Sequence, residues 1–495
     1  MARCRCAIVV AALLAWAGPG GAQQAGGRVH APLAIVNVTV IDGTSRAAAP
    51  GQTVIVRQGR IEAIAADAPI PVDARRVDGS GRFLIPGLID AHVHLAIRPD
   101  AEVPSTALLP LLVAHGVLAV RDMGGDLARL NALRAGIAAG DVRGPAIVAS
   151  GPFIDGPQAA SAIVRPVASV PQAAQAVALV ASRKADFVKV QAGLSAEHWH
   201  AVVAAARAAG LHVAGHVPES MTAFDVVSGG QRTVEHVSPA LPGDAGLMLS
   251  VSRDEAAIRG ELRAIAEASA KPGADRTNLL ARQRTVQQRV ITTVDPARAA
   301  DLFALMKTRG VIAVPTLSWS NGLLPLSRED VPPEATLSFV PQPMRGPWLA
   351  RRRAQTASMT DDDLALNRRI AEASRSFVGA MHRAGVTIAA GTDSFDTYLP
   401  VGVALHRELE ELVSSGLTPH EALGAATSVA ARAIERAERG TIELGKAADL
   451  VLLDANPLED IAATRRIHAV IHRGELLDAD AVARITADVR AAMAR

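Results

Sequence analysis

Eight short apolar runs constrain the fold of this chain more than any other feature of its sequence. The first ends at His94, and the others are 117–122, 146–150, 187–190, 212–216, 233–236, 311–316 and 386–393. Alanine-rich helical stretches, such as 197–209 and 364–384, lie between many of them. Strands that alternate with helices are typical of a parallel sheet, and eight such units predict an α/β fold of the (β/α)8 (TIM) barrel type over residues 84–436.

Two of the eight units are much longer than the roughly 30 residues that a compact barrel allots to each. In both, the closing helix comes late, at 296–309 and 361–384. The additional chain, near 240–295 and 318–360, therefore follows its strand directly. We expect these inserts at the carboxyl ends of the strands, where barrels have their active sites, as lids or substrate-shaping segments. The alternative is a surface decoration without a role.

The two ends of the chain resemble each other in pattern. Residues 28–83 alternate apolar and polar side chains between turns at Asp42-Gly43 and Gln58-Gly59, which predicts an antiparallel sheet. Residues 437–480 again contain short strands and glycine turns. We therefore predict a small β-sandwich domain built from both ends, which brackets the barrel.

The first 22 residues have the pattern of a secretory signal peptide. Arg3 and Arg5 precede a short apolar run, and Gly20-Gly21-Ala22 is a small-residue cleavage site. Both cysteines, Cys4 and Cys6, lie in this segment, so a mature chain has neither disulfides nor thiolate ligands. We expect a secreted or periplasmic protein with no membrane anchor in the mature chain. The net charge of +2, with no basic arm, makes nucleic acid an unlikely partner.

Six polar residues lie in or at the end of the predicted strands. They are His92, His94, Lys189, His216, His236 and Asp393. Successive side chains on a strand alternate between faces, so His92 and His94 point the same way and suit two ligands of one metal ion. The other histidines fit less well: His198 and His200 open a helix, His212 lies lower in its strand, His115 precedes a strand, and His406 is at most an outer neighbour of the site.

Through these residues and the motifs around them, the chain resembles the amidohydrolase superfamily. The resemblance rests on Pro-Gly-Leu-Ile-Asp-x-His-x-His at 86–94, on histidines after the fifth and sixth strands, on Gly391-Thr392-Asp393 and on the closing segment 445–454. Within the superfamily, the segments 120–125 and 186–190 are similar to imidazolonepropionase-like proteins and prolidase-type dipeptidases. The resemblance implies two divalent metal ions, usually zinc, bridged by a carboxylated lysine and a hydroxide.

Lys189 is the candidate for that bridge. The chain has few lysines and many arginines, so a lysine within Val-Lys-Val is no accident of composition. A buried ammonium tends to lose its proton, and a neutral amine can take up carbon dioxide to become an N6-carboxylated, anionic ligand. The alternative is a lysine that reaches out to the barrel end or pairs with an acid.

The resemblance implies an amide-cleaving metal-dependent hydrolase. His92 and His94 would hold one metal, His216 and His236 the second, and carboxylated Lys189 would bridge them. Asp393 would bind the first metal and, as catalytic base, take the proton from metal-activated hydroxide before it returns that proton to the leaving amine.

The predicted substrate is a small molecule with an amide bond, most simply a dipeptide or an N-acyl amino acid. Tyr398, the only tyrosine, is the candidate substrate-binding residue, and the run Arg351-Arg352-Arg353 is a second candidate. Two other readings stay open. One is a mononuclear cyclic-amide or lactone hydrolase with unmodified Lys189; the other is a non-catalytic barrel that only binds. A homo-oligomer is compatible with the sequence but not required by it.

Overall fold

A computed structural model describes residues 31–44, 46–159, 161–241, 246–396 and 398–495. The predicted signal peptide, 1–22, lies outside the described residues. The strands within the described part are β1 (Leu33–Val40), β2 (Ala49–Arg57), β3 (Arg60–Ala65), β4 (Arg75–Asp78), β5 (Phe83–Pro86), β6 (Leu88–Val93), β7 (Val117–Asp122), β8 (Ala146–Ala149), β9 (Phe153–Asp155), β10 (Val164–Pro166), β11 (Val188–Val190), β12 (Val213–Gly215), β13 (Thr233–Glu235), β14 (Ile312–Val314), β15 (Thr387–Ile388), β16 (Leu450–Leu453), β17 (Ile467–His472) and β18 (Glu475–Leu477).

The helices of the same residues alternate with the central strands. They are α1 (Ser105–Ala114), α2 (Leu127–Ala139), α3 (Val170–Ser182), α4 (Ala196–Ala208), α5 (Ala223–Gly229), α6 (Gly246–Ser250), α7 (Glu255–Ser269), α8 (Arg276–Thr292), α9 (Pro296–Arg309), α10 (Leu317–Leu323), α11 (Glu334–Leu337), α12 (Gln342–Ser358), α13 (Asp361–Arg383), α14 (Val403–Ser414), α15 (Pro419–Ala425), α16 (Ser428–Ala433) and α17 (Ala479–Met493), with a 3₁₀ helix at Ile461–Arg465. None of the helices in the described ranges combines the length and the apolar character that a bilayer crossing requires.

All eight predicted central strands are present, and they pair in parallel. One sheet has the order β6-β7-β8, and a second has the order β10-β9-β11-β12-β13-β14-β15. Strands β9 and β10, which the sequence analysis missed, follow β8 directly. Backbone hydrogen bonds join the two sheets on both sides, from Ala91 N to Ala390 O (3.0 Å) and from Asp186 N to Ala149 O (2.8 Å). The pairing agrees with the predicted barrel and brings the carboxyl ends of all these strands to one side.

The core around these strands is aliphatic. Every residue of β6, β7, β11, β12, β13 and β14 is buried, as expected for parallel strands covered by helices on one face and packed on the other. Helix α13 shows how the sequence defines the ends of one of these covering helices. Thr360 and Asp363 form a capping box at its start, and the helix ends before Gly385, whose φ of 82° suits a left-handed residue.

The two chain ends do combine in one sheet. Its order is β18-β17-β16-β5-β1-β2-β3, and β4 also pairs with β1. The prediction of a purely antiparallel N-terminal part is wrong, because β4 and β5 both run parallel to β1. Each occupies half of one edge of β1, and each reaches it by a crossover rather than by a hairpin. The predicted two-layered sandwich stays a prediction.

The two long inserts follow β13 and β14. The first contains α6, α7 and α8, and the second contains α10, α11 and α12. Both therefore leave the sheet at its carboxyl edge, on the side of the candidate active site.

Candidate active site

One cavity of about 490 Å³ brings together all six residues that the sequence predicts as metal ligands. His92 belongs to β6, and Lys189 belongs to β11. The other four follow their strands within a few residues. Because the strands are parallel neighbours, side chains at their carboxyl ends converge on this cavity. The residues that line it together are His92, His94, Lys189, His216, His236 and Asp393.

His92, His94 and Asp393 form the first cluster within this cavity. The Asp393 Oδ1 atom lies 2.9 Å from His94 Nε2 and 3.3 Å from His92 Nε2. One ligand atom of each residue falls within 4.8 Å of the others. His92 Nε2 is buried and makes no hydrogen bond in the described structure. This nitrogen, the His94 ring and the Asp393 carboxylate together form a set of ligands that fits a divalent metal ion such as zinc.

His216 and His236 form the second cluster with Lys189. The Nε2 atoms of the two histidines are 3.1 Å apart, and His236 Nε2 lies 4.0 Å from Asp393 Oδ2. The side chain of Lys189 is buried beside them. Asp393 therefore stands between the two clusters, which fits a carboxylate that serves both.

The pKa values of the cavity histidines shift in both directions: those of His216 and His236 are lowered, whereas that of His94, which burial acts to lower, is raised by its contact with Asp393. Burial and the charge of Lys189 hold the pKa of His216 well below its usual range, and burial lowers the pKa of His236 to about 3. Although burial acts to raise it, the pKa of Asp393 is lowered well below its usual range by His92 and His94. Neutral His216 and His236 and an ionised Asp393 are in their ligating forms, whereas a protonated His94 would release its proton on binding a metal.

Three residues at the cavity adopt left-handed backbone conformations. They are His236 (φ 63°), Thr316 (φ 49°) and Asp393 (φ 57°). Such conformations are uncommon for residues other than glycine and are concentrated at functional sites. His236 and Asp393 line the cavity, and Thr316 Oγ1 contacts Nδ1 of His236.

A buried ion pair behind His92 escaped the sequence analysis. Glu235 Oε2 lies 2.9 Å from His92 Nδ1, and Arg121 Nη2 donates to both Glu235 oxygens at 2.9 and 3.1 Å. Burial would raise the pKa of Glu235, but Arg121 and His92 lower it below its usual range. The ionised carboxylate thus holds the ring of His92 with Nε2 toward the cavity.

The sequence carried a signal for this pair. Arg121 and Glu235 each place a charge inside an apolar strand, as Lys189 does. The cost of burying a charge inside an apolar strand, which is one part of the argument for Lys189, applies to both residues and would have found them.

The other two oriented histidines have neutral partners on the second ring nitrogen. His94 Nδ1 lies 2.9 Å from Gly124 O, and His236 Nδ1 lies 2.7 Å from Thr316 Oγ1. Asp122 accepts hydrogen bonds from the backbone N–H groups of Leu95 (2.6 Å) and Gly124 (3.1 Å), which fixes the segment that holds His94.

Tyr398 does not line the described cavity. Its side chain is buried, and its hydroxyl donates to the carbonyl oxygen of Trp348 in α12 at 2.7 Å. Arg352 packs over the Tyr398 ring at 5.1 Å and donates to backbone carbonyls of the second insert. The structure therefore gives Tyr398 and Arg352 an anchoring place under the insert, and the substrate contact expected of Tyr398 stays a prediction. Arg351 and Arg353 are exposed on the outer side of α12.

The discounted histidines do lie outside the cavity lining. His198 and His200 are in α4, and His212 stacks on Phe187 with a ring separation of 5.4 Å. His406 Nδ1 lies 2.9 Å from Thr464 Oγ1, on the far side of α14.

The rest of the cavity lining combines apolar walls with three polar side chains. The apolar residues are Ile97, Phe153, Leu241, Trp319 and Phe395, and the polar ones are Arg98, Gln191 and Asp396. Trp319 Nε1 donates to Asp396 Oδ2 at 2.8 Å, and its ring lies 5.1 Å from that of His236. The second insert therefore contributes directly to the wall beside the histidines.

The amidohydrolase family matches this chain over residues 83–316 and 334–477, which includes every residue of the two clusters. Among solved structures, a putative prolidase from Bifidobacterium longum is similar, with 25% identity and a TM-score of 0.65 over 93% of this chain and 99% of that chain. Bottromycin amidohydrolase has a TM-score of 0.72 at 22% identity over 94% of this chain and 91% of that chain, which supports the fold alone.

Curated relatives match only in short segments. An adenine deaminase from Ruegeria pomeroyi is 38% identical over 73 residues, which are 14% of this chain and 12% of that protein. An imidazolonepropionase from Klebsiella pneumoniae is 58% identical over 41 residues, which are 8% of this chain and 10% of that protein. The chain thus spans about a tenth of the length of these relatives.

Proposed function

This chain belongs to the amidohydrolase family and is a hydrolase that acts on carbon–nitrogen bonds. We propose that it cleaves the amide bond of a dipeptide or an N-acyl amino acid. The observation that carries the proposal is the single cavity in which His92, His94, Lys189, His216, His236 and Asp393 meet. The likeness to the putative prolidase favours a substrate of this kind over other amides.

In this proposal the cavity binds two divalent ions, zinc by preference. His92, His94 and Asp393 would hold one, His216 and His236 would hold the other, and N6-carboxylated Lys189 would serve both. Bound there, such ions lower the pKa of a water molecule and polarise a substrate carbonyl. The buried nitrogen of His92, which makes no hydrogen bond, fits this use.

The chain itself provides the proton transfer. Asp393 is ionised and lies beside His94 and His92, so it can accept a proton from the attacking water. Having accepted it, Asp393 can return the proton to the leaving amine, which would otherwise leave as a strong base. The Glu235–Arg121 pair keeps His92 oriented while Asp393 changes its protonation state.

The finer features of the fold belong to the same proposal. The parallel strands close into a (β/α)8 barrel over about 84–436, and the mixed sheet of both chain ends folds into a small sandwich. An export signal at 1–22 would deliver the enzyme to the periplasm or the exterior, where small peptides are available as substrates.

The test is a combined measurement of metal content and turnover. The protein is purified without chelator from cultures supplied with zinc and bicarbonate, and its metals are counted by mass spectrometry. Hydrolysis is then measured on panels of dipeptides and N-acyl amino acids. About two ions per chain with turnover on these panels is the expected result.

About one ion, with turnover restricted to cyclic amides or lactones, would instead establish the mononuclear alternative. Metal-replete protein with no turnover on any of these panels would overturn the proposal.

A further inference from the structure

We infer that Glu408, a buried residue of α14, is a positioning residue for the catalytic cavity, because it holds the turn of chain that keeps the ring of His236 in place. This turn, the 316–319 turn, is the start of α10. Glu408 is not among the described residues that line the cavity, so it acts through the turn. The inference rests on the proposed function, in which His236 is a ligand of the second metal ion.

The 316–319 turn lacks the cap that its own sequence offers. Thr316 is the N-cap residue of α10, and a threonine there commonly accepts a hydrogen bond from the first backbone N–H groups of the helix. Its side chain makes no such bond, and its Oγ1 atom lies 2.7 Å from Nδ1 of His236 instead. Since the hydroxyl is engaged by the histidine, the N–H groups that begin α10 need another acceptor.

Glu408 supplies that acceptor from a distant part of the chain. Its Oε1 atom accepts the N–H of Leu317 at 3.1 Å, and its Oε2 atom accepts that of Ser318 at 2.6 Å. The side chain is completely buried, and burial raises its pKa to about 8, although both N–H groups act to lower it. A hydroxyl cap from Thr316 would satisfy the same turn without a buried acid, so the stability of the turn alone does not require Glu408.

The hydrogen bonds to Glu408 come directly after a strained residue. Thr316 has a φ of 49° and a ψ of 45°, in the left-handed region that a β-branched residue rarely adopts. Such a conformation persists only where the surrounding structure fixes it. Because Glu408 holds the next two N–H groups, it fixes Thr316 in the conformation from which Oγ1 contacts His236.

The 316–319 turn also holds His236 on a second side. The ring of Trp319 lies 5.1 Å from that of His236, and its Nε1 atom donates to Asp396 Oδ2 at 2.8 Å. One turn therefore contacts the imidazole at Nδ1 and packs against its ring. These two contacts keep Nε2 of His236 in its place 3.1 Å from Nε2 of His216, as a ligand of the second ion requires.

A second acid on α14 provides a matched control. Glu411 lies three residues after Glu408 and accepts hydrogen bonds from Asn321 Nδ2 at 2.9 Å and from Arg375 Nε at 2.8 Å. Both of these partners lie outside the 316–319 turn. Replacing either acid by glutamine removes one carboxylate from the same helix, but only the change at Glu408 acts on the turn.

The first experiment measures the zinc affinity of the full chain by competition with a chelating dye. We expect Glu408→Gln to weaken the binding of one of the two ions about 10-fold, since an amide oxygen can accept one N–H while the amide nitrogen cannot accept the other. Glu411→Gln should bind both ions as tightly as the wild type. Wild-type zinc affinity in Glu408→Gln would overturn the inference. Should this variant fail to fold, Glu408→Asp, whose carboxylate lies farther from the turn, takes its place with the same expected direction.

A double-variant cycle separates positioning from a general loss of stability. Thr316→Val removes the hydroxyl that contacts His236 and should weaken the same ion about 10- to 100-fold, whereas Thr316→Ser keeps a hydroxyl and should recover most of the affinity. Because Glu408 acts through the turn that contains Thr316, adding Glu408→Gln to Thr316→Val should cost less than about 3-fold more. Losses that multiply in the combined variant would overturn the inference.

A measurement on metal-free protein distinguishes this inference from the proposed function. Acrylamide quenching of Trp319 fluorescence, taken as the difference from matched Trp319→Phe variants, reports on the turn without zinc or turnover. Glu408→Gln should increase this quenching, and Glu411→Gln should leave it unchanged. That result, with a wild type that binds fewer than two zinc ions, would support the positioning of the turn and contradict the proposed two-ion centre. Two ions in the wild type, with quenching and zinc affinity unchanged in Glu408→Gln, would overturn the positioning role while the proposed centre stands.

Discussion

Two buried histidine–carboxylate pairs lie in different parts of this molecule and serve different ends. In the mixed sheet, His472 Nδ1 lies 3.0 Å from Asp449 Oδ1, and its Nε2 lies 3.0 Å from Gly144 O. In the cavity, His92 Nδ1 lies 2.9 Å from Glu235 Oε2, but its Nε2 makes no hydrogen bond. Both carboxylates also contact an arginine, Arg439 or Arg121.

The difference lies in the second ring nitrogen. The protein occupies both nitrogens of His472, which makes that ring a structural link between the mixed sheet and residue 144. His92, His94 and His236 each have Nδ1 held by a group of the protein and Nε2 directed to the shared centre around Asp393. A histidine fixed on one side and directed to a cavity on the other is prepared as a ligand.

Removal of the negative charge of Asp393 should have the largest effect on turnover. We expect Asp393→Asn to lose about 10²- to 10⁴-fold in turnover, because the amide can neither accept nor return a proton. Metal content should largely persist, since the histidines remain. Asp361→Asn, at an exposed acid of α13, is the control. Full turnover in Asp393→Asn would eliminate its role as base.

Loss of Lys189 should change the number of ions rather than the protonation chemistry. Without the predicted bridging carbamate, we expect Lys189→Ala to fall from about two metal ions per chain to about one, as counted by mass spectrometry after growth with bicarbonate. Lys307→Ala, an exposed lysine of α9, should keep both. An unchanged count in Lys189→Ala would rule out the bridge.

Neutralising Glu235 or Asp449 tests directly whether the carboxylate beside His92 supports metal binding and the one beside His472 does not. Glu235→Gln should weaken zinc affinity about 10- to 100-fold, measured by competition with a chelating dye, because His92 loses the anion that orients it. Asp449→Asn makes the same change beside His472 and should leave zinc affinity as it is. Both variants leave an arginine beside a neutral group, Arg121 fully buried and Arg439 partly buried, so both should unfold more easily. Equal zinc affinities in the two variants would contradict the distinction.

Much of this arrangement could be predicted from residue pattern, and the remainder depended on distant contacts. The eight central strands follow from local apolar runs, and the six convergent side chains are His, Lys or Asp residues in these runs or at their ends. The parallel pairing of β4 and β5 with β1 could not be read from turns, because it depends on crossovers. Tyr398 was assigned by its closeness to Asp393 in sequence, yet its ring turns under α12, where Trp348 accepts its hydroxyl.

The smallest expected effect concerns His115, a partly buried histidine that contributes to the pH dependence of stability. His115 packs against the rings of Phe339 and His406, and burial near Arg465 and Arg490 lowers its pKa to about 4. The unfolded chain, with an ordinary histidine pKa of about 6.5, binds a proton first. The stability that this neutral ring contributes is thus complete above pH 6.5 and is lost as the pH falls toward 4.

Between pH 7 and pH 4.5, His115 should account for roughly 2 kcal/mol of the decrease in the free energy of unfolding. His115→Leu, which removes the titrating group and keeps an apolar side chain, should show a correspondingly smaller decrease. Urea unfolding of both proteins with chelator present measures this, since metal loss from the cavity histidines on acidification cannot then contribute. The same decrease in both proteins would show that His115 takes up its proton as readily in the folded protein as in the unfolded chain. Burial alone would then not distinguish structural histidines from those of the cavity.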